Sequence, residues 1–146
     1  HVVRPKVDGV PHYAKAGNIN HALMKAGSSG DLVVVFDSDM IAKPNFLRMT
    51  AGHFLEQHEG RWRLKPKVAF LQVPQDFHNV PLSDPMGHRA RFFYGPMMQG
   101  RDGAGAAPCV GTGVVFRRDA LIAIGGQAYG SITEDYNTSM MLMAAG

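Results

Sequence analysis

The chain has 146 residues, 45% hydrophobic and 18% charged, a composition that builds one compact domain with a core and excludes a disordered chain. Fifteen basic against twelve acidic side chains leave a formal charge of +3, too mild to indicate a nucleic-acid partner. A single cysteine, Cys109, excludes a disulfide framework and a zinc cluster of several thiolates, and no apolar run approaches the roughly 18–20 residues that cross a bilayer.

Val2 and Val3 predict a short first strand, ended by Arg4-Pro5 and followed by a polar turn at Asp8-Gly9. From Asn18, the residues Ile19, Ala22, Leu23 and Ala26 recur at helical spacing, with Asn18 as N-cap and Gly27 as stop. Leu32-Val33-Val34-Val35-Phe36 is a continuous β-prone run without alternation, the pattern of a central strand covered on both faces. It ends in Asp37-Ser38-Asp39. Pro44 then opens a helix with Leu47, Ala51 and Phe54 along one face. Helix, strand, helix in this order predicts an α/β sheet.

Arg61, Arg63, Lys65 and Lys67 alternate in what reads as a solvated connection. Residues 68–73 form a second strand candidate, closed by Pro74. Residues 84–100 are amphipathic and rich in Arg, Phe and Met, with a break expected at Pro96. Residues 101–108, rich in Gly and Ala, read as a mobile loop. Val114-Val115-Phe116 resumes a strand, Arg117-Arg118 is expected to be solvated at its end, and Asp119 caps a short helix over 120–124 that Gly125-Gly126 stops. Thr133 precedes the last helix, which begins with Glu134 and Asp135. There is no internal repeat, no second domain and no secretory pattern at the N-terminus. The missing initiator Met and a C-terminal end inside an apolar stretch predict a piece of a longer protein.

Four clusters are candidates for chemistry. Asp37 and Asp39 follow directly on a strand, where open α/β sheets bind their ligands. Two carboxylates around a one-residue spacer can share a hard divalent cation; they also suit an ordinary strand-end turn. Thr133-Glu134-Asp135 opens a helix, as a cap with acids complementing the helix N-terminus or as a source of a general base. Lys15, Gly17 and Asn18 near a helix start suit either a phosphate or a plain cap. Gly111-Thr112-Gly113 before a strand allows close approach of a sugar, or simply a turn. Cys109 reads as a small buried filler, with no histidine partner near it in sequence.

Taken in order, Tyr-Ala-Lys-Ala-Gly-Asn-Ile-Asn (13–20), Phe-Asp-Ser-Asp (36–39), Gln-Val-Pro-Gln-Asp-Phe-His-Asn (72–79), Gly-Thr-Gly-Val-Val-Phe-Arg-Arg-Asp-Ala-Leu (111–121) and Ser-Ile-Thr-Glu-Asp (131–135) resemble the processive family 2 glycosyltransferases, above all the catalytic subunits of cellulose synthases. The resemblance implies a GT-A-like α/β fold with a doubly wound mixed sheet, residues 1–146 being the central part of its catalytic domain. It implies transfer of glucose from UDP-glucose to a growing β-1,4-glucan with inversion, with Mg²⁺ or Mn²⁺ as cofactor. By the same resemblance Lys15, Gly17, Asn18, Asp37 and Asp39 bind the donor, Asp37 and Asp39 hold the metal, and Val110, Gly111 and Thr112 meet the acceptor. Asp135 is the general base, with Glu134 beside it. The full-length protein is expected in a membrane with this domain on the cytoplasmic side, in contact with synthase-complex subunits and no nucleic acid. Residues 84–100 correspond to the segment holding the family's membrane-interface helix.

The sequence departs from that family at a few places. Val73 replaces a threonine in the Q-T-P segment. Val110 stands where the family has a cysteine, with Cys109 one place earlier and Pro108 in the place of an aromatic. An upstream uridine-binding Asp, a downstream Q-x-x-R-W motif and the transmembrane helices are expected outside these residues, so the isolated segment is expected to be inactive. Synthases of chitin, hyaluronan, mannan or β-1,3-glucan share much of the pattern. A nucleotidyltransferase or a non-catalytic glucan-binding domain are the alternatives from other classes.

Overall fold

A computed structural model describes residues 1–146. Helix α1 (Ala14–Met24) begins four residues before the predicted cap at Asn18, because Tyr13 turns the chain with a left-handed φ of 54°. Small residues then let the helix start against the N-terminal segment. Gly17 is the closest approach: a Cβ there would collide with the His12 carbonyl and with the Arg4 guanidinium, which itself donates to that carbonyl. The expected strand at Val2-Val3 does not form. Both side chains are exposed and no other strand pairs with them.

Strands β1 (Leu32–Val35), β4 (Phe70–Gln72) and β5 (Val114–Arg117) form one sheet in the order β1-β5-β4, every pairing antiparallel. The run over 32–36 is therefore an edge strand here, and Val34 is 38% exposed. The interior strand is β5, whose Val114, Val115 and Phe116 are fully buried. An unbroken apolar run signals burial but does not say which strand has two neighbours; β5 takes both by pairing Val115 with Val34 on one side and Leu71 on the other. The fold class is α/β as expected, and every pair in the three-stranded sheet is antiparallel.

Helices α4 (Arg118–Ala123) and α5 (Glu134–Ala144) join α1 against this sheet. Leu23 of α1, Leu121 of α4 and Leu142 of α5 meet Val35, Val114 and Phe116, with Cys109 in the same core. At about 1.5–3 kcal/mol per fully buried apolar side chain, this cluster is what fixes the three helices to the sheet. Asn20 adds a polar lock. Its side-chain amide donates to the Gln127 carbonyl at 2.9 Å and accepts from the Gln127 N–H at 2.7 Å, tying α1 to the turn after α4.

Helix α2 (Phe46–Ala51) and a 3-10 turn (Gly52–Phe54) follow Pro44; Phe54 is buried while Leu47 is exposed. The basic stretch is not a plain connection. β2 (Leu55–His58) and β3 (Arg61–Leu64) pair as a hairpin, turned by Glu59 and Gly60, both with positive φ (49° and 75°), the sign pattern of a type I′ turn. Between Gly87 and Pro96 the helix starts late. A π-helical turn (Phe93–Met97) kinks at Gly95 and runs into α3 (Met98–Gly103), which takes up the front of the expected mobile loop. Arg117 is not solvated either: only 14% of its side chain is exposed, and its guanidinium donates to the Lys65 and Pro66 carbonyls and to Asp119.

Candidate active site

Lys15, in the first turn of α1, points across the carboxyl end of β1. Its Nζ lies 2.5 Å from Asp37 Oδ1 and also donates to the Gly111 carbonyl. The Asp37 backbone N–H donates to Thr112 Oγ1 at 3.0 Å. Gly111 has φ +87°, and a Cβ built on it would lie 2.9 Å from Asp135 Oδ2 and 3.6 Å from Lys15 Nζ. One small space is thus bounded by the start of α1, the end of β1, the loop entering β5 and the first turn of α5. A side chain at Gly111 would crowd Asp135, and the left-handed φ is one that glycine adopts without strain.

The predicted residues divide around this space. Lys15, Asp37, Gly111, Thr112 and Asp135 come together. Val110 joins them through its backbone, its N–H donating to Gln72 Oε1 at 2.9 Å. Asp39 is exposed two residues beyond Asp37, outside the Lys15 pair. Glu134 is half-buried and lines a cavity of about 270 Å³ with Lys15, Tyr13 and Tyr129, the two tyrosine rings lying 4.4 Å apart between centroids. Gly17 is buried under Arg4, and Asn18 is exposed on the helix surface. A cleft of about 1020 Å³ opens between β4 and the end of α5 and takes in none of the predicted site residues.

Asp37 and Asp39 offer oxygen donors only, and no third His, Cys, Asp or Glu gathers with them into a metal-binding group. That donor set fits Mg²⁺, which commonly takes one or two protein carboxylates and fills its remaining places with water and substrate phosphates. Asp37 Oδ1 is engaged by Lys15, which leaves Oδ2 and the Asp39 carboxylate for a cation. Cys109 is 1% exposed, and burial pushes its thiol up to about 11, with Asp135 and Glu134 adding to the rise. It is a core side chain and no nucleophile.

Gln72 is the residue that sequence reasoning left without a role. It sits at the end of β4, and its side-chain amide holds the loop at Val110 and Thr112. The position within a Gln-Val-Pro segment was the one signal for it. Nothing in a linear sequence says that this amide reaches residues 38 and 40 places away.

Residues 3–146 match the family described as glycosyltransferase like family 2. The chain is similar to a UDP-forming cellulose synthase catalytic subunit of Dictyostelium discoideum, 42% identical over 99% of this chain and 13% of that protein. It is also similar to the cellulose synthase catalytic subunits of Xanthomonas axonopodis pv. citri and Pseudomonas fluorescens, 35% and 33% identical over 92% of this chain and 18% of each relative. The chain thus spans less than a fifth of the length of these relatives. No helix within it is long and apolar enough to cross a membrane. With the match running from residue 3 to the last residue, the chain belongs to glycosyltransferase family 2.

Proposed function

We propose that the full-length protein transfers glucose from UDP-glucose to the end of a growing β-1,4-glucan, with inversion at the anomeric carbon. The observation that carries this reading is the convergence of Lys15, Asp37 and Asp135 around Gly111. A nucleotide-sugar transferase needs positive charge and a cation site for a diphosphate on one side, and a base for an acceptor hydroxyl on the other. Lys15, Asp37 and Asp39 supply the first, and Asp135 the second. Mg²⁺ or Mn²⁺ bound by Asp37 and Asp39 supplies charge neutralisation for the diphosphate. Lys15 adds a fixed cation beside it. Asp135 accepts the proton of the acceptor hydroxyl as that oxygen bonds to the anomeric carbon, while the bond to UDP breaks on the opposite face. A single in-line displacement inverts the centre.

Val110, Gly111 and Thr112 border the acceptor side, where the lack of a side chain at Gly111 lets Asp135 approach the loop closely. Membrane attachment of the full-length protein, with this domain on the cytoplasmic side, is part of the same reading. Its support here is the exposed Leu82, Met86 and Phe92 on the segment preceding α3.

The test is product analysis. Full-length protein in lipid vesicles, given Mg²⁺ and radiolabelled UDP-glucose, should release UDP and form polymer that a β-1,4-specific glucanase digests. Polymer that resists this glucanase, or turnover only with another nucleotide sugar, would replace cellulose with a different β-glycan. Formation of UDP-glucose from glucose phosphate and UTP would point to a nucleotidyltransferase instead.

A further inference from the structure

We infer that Gln72 is a positioning residue of this site, its side-chain amide fixing the Val110–Gly111–Thr112 loop and, through Thr112, the backbone of Asp37. This deepens the glycosyl-transfer reading and rests on it for its kinetic test. Gln72 Nε2 donates to the Thr112 carbonyl at 2.8 Å and to its neighbour's carbonyl, Val73 O, at 2.9 Å. Its Oε1 accepts from the Val110 N–H at 2.9 Å. The orientation of the amide follows from its partners: two carbonyls require the NH₂ group, and an N–H requires the oxygen.

The two residues held by the amide flank Gly111. The loop is therefore clamped on both sides of the glycine whose carbonyl accepts from Lys15 and whose missing Cβ leaves room beside Asp135. Thr112 is 4% exposed, and its hydroxyl oxygen accepts from the Asp37 N–H. The main chain supports the same register, with the Val73 N–H donating to the Gly113 carbonyl at 3.0 Å. One uncharged side chain thus connects the acceptor-side loop to the donor-side carboxylate. Glutamine suits the task chemically, since it both donates and accepts, while glutamate at neutral pH would set a carboxylate against two carbonyl oxygens.

The test uses the full-length enzyme with Gln72→Leu, Thr112→Val and the double variant. Gln72→Leu should raise the KM for UDP-glucose on the order of tenfold, the effect of losing the two partly buried hydrogen bonds that hold the loop. A merely structural role would lower the amount of active enzyme, and hence apparent kcat, and leave that KM alone. Thr112→Val should raise the same KM, and the double variant should fall well short of the product of the two single effects. Hydrogen exchange should quicken at Val110 and at the Asp37 amide in Gln72→Leu. A KM within about twofold of wild type, with normal exchange at those amides, overturns the proposal, as do fully multiplicative single effects. If Gln72→Leu does not fold, Gln72→Glu, of the same shape, carries the same measurements. If wild-type enzyme does not use UDP-glucose at all, the transfer reading falls, and the exchange data on Gln72→Leu still decide whether Gln72 holds the loop.

Discussion

Asp37 and Asp39 are two residues apart and occupy different environments. Asp37 is half-buried and bound to Lys15 through one carboxylate oxygen, while Asp39 is exposed. They should therefore respond differently to substitution. In full-length enzyme, Asp39→Asn should abolish the tightening of UDP binding by Mg²⁺ and leave metal-free UDP binding near normal. Asp37→Asn should weaken UDP binding in both conditions, because Lys15 loses the partner that aims it, and should also reduce the tightening by Mg²⁺, because Asp37 shares the cation with Asp39. UDP titrations with and without Mg²⁺ measure both effects, and unchanged coupling in Asp39→Asn would exclude it as a ligand. The thiol of Cys109 gives a second residue-scale expectation. Its folded pKa, about 11 against an ordinary 9.0, keeps it protonated in the native state through pH 9. Below pH 9 it has no pH-dependent effect on stability. Between 9 and about 11 only the unfolded thiol ionises, so its contribution is lost as pH rises. Iodoacetamide at pH 8 should leave Cys109 unmodified in native protein and label it quickly in urea, read by mass spectrometry of its peptide. Equal labelling in both conditions would contradict the burial.

Among the elements, α1 bears both a core contact and a site residue, so its attachment matters more than its length. The Asn20 lock to Gln127 holds it against the turn after α4, where Gly126 has φ +93° and no room for a Cβ, which would run into Asn20 Oδ1. Asn20→Ala strands the Gln127 N–H and carbonyl in a buried place and should cost about 2–4 kcal/mol, given about 1–3 kcal/mol per stranded group. Gly126→Ala should cost a similar amount through strain at φ and displacement of the same amide. The two changes disturb one lock, so together they should cost less than their sum. The midpoint of thermal inactivation of the full-length enzyme reports this; an unshifted midpoint for Asn20→Ala would deny the lock its role. Elements such as α1, α5 and β5 were legible in the sequence because apolar spacing and flanking polar residues mark them. The β2–β3 hairpin was not, since its strands carry Glu, Gln, His and Arg on a two-stranded, largely exposed ribbon, and a polar pattern of that kind looks like a connection. The placing of β1 at the sheet edge was equally hidden, because strand order is decided by partners far along the chain.

At the scale of the whole molecule, the site exists only because the sheet brings together residues 15, 37, 111 and 135. Their motifs were readable one by one, and their order suggested a common purpose; their meeting at Gly111 was not readable, since it depends on the turn at Tyr13, the antiparallel pairing of β1 with β5, and the Gln72 clamp. The same geometry separates the two acids that begin α5. Asp135 Oδ2 reaches the space at Gly111, while its Oδ1 accepts from the Tyr136 N–H at 2.8 Å, which fixes the side chain's direction. Glu134 instead lines the cavity with Tyr13, Lys15 and Tyr129. Consecutive residues on a helix do not share a face, so only one of the two can stand beside the acceptor hydroxyl. Asp135→Asn keeps the shape and the acceptor for Tyr136 but removes basicity. It should lower glucose transfer about 10²–10⁴-fold, the usual worth of general acid–base catalysis, and leave UDP affinity close to wild type. Glu134→Gln should be far milder, acting through the packing of Tyr13 and Tyr129 on the start of α1 rather than through proton transfer. Polymer synthesis and UDP binding measured side by side for the two variants separate the roles. Near-normal synthesis by Asp135→Asn would remove Asp135 as the base, and a severe loss in Glu134→Gln with intact UDP binding would transfer that role to Glu134.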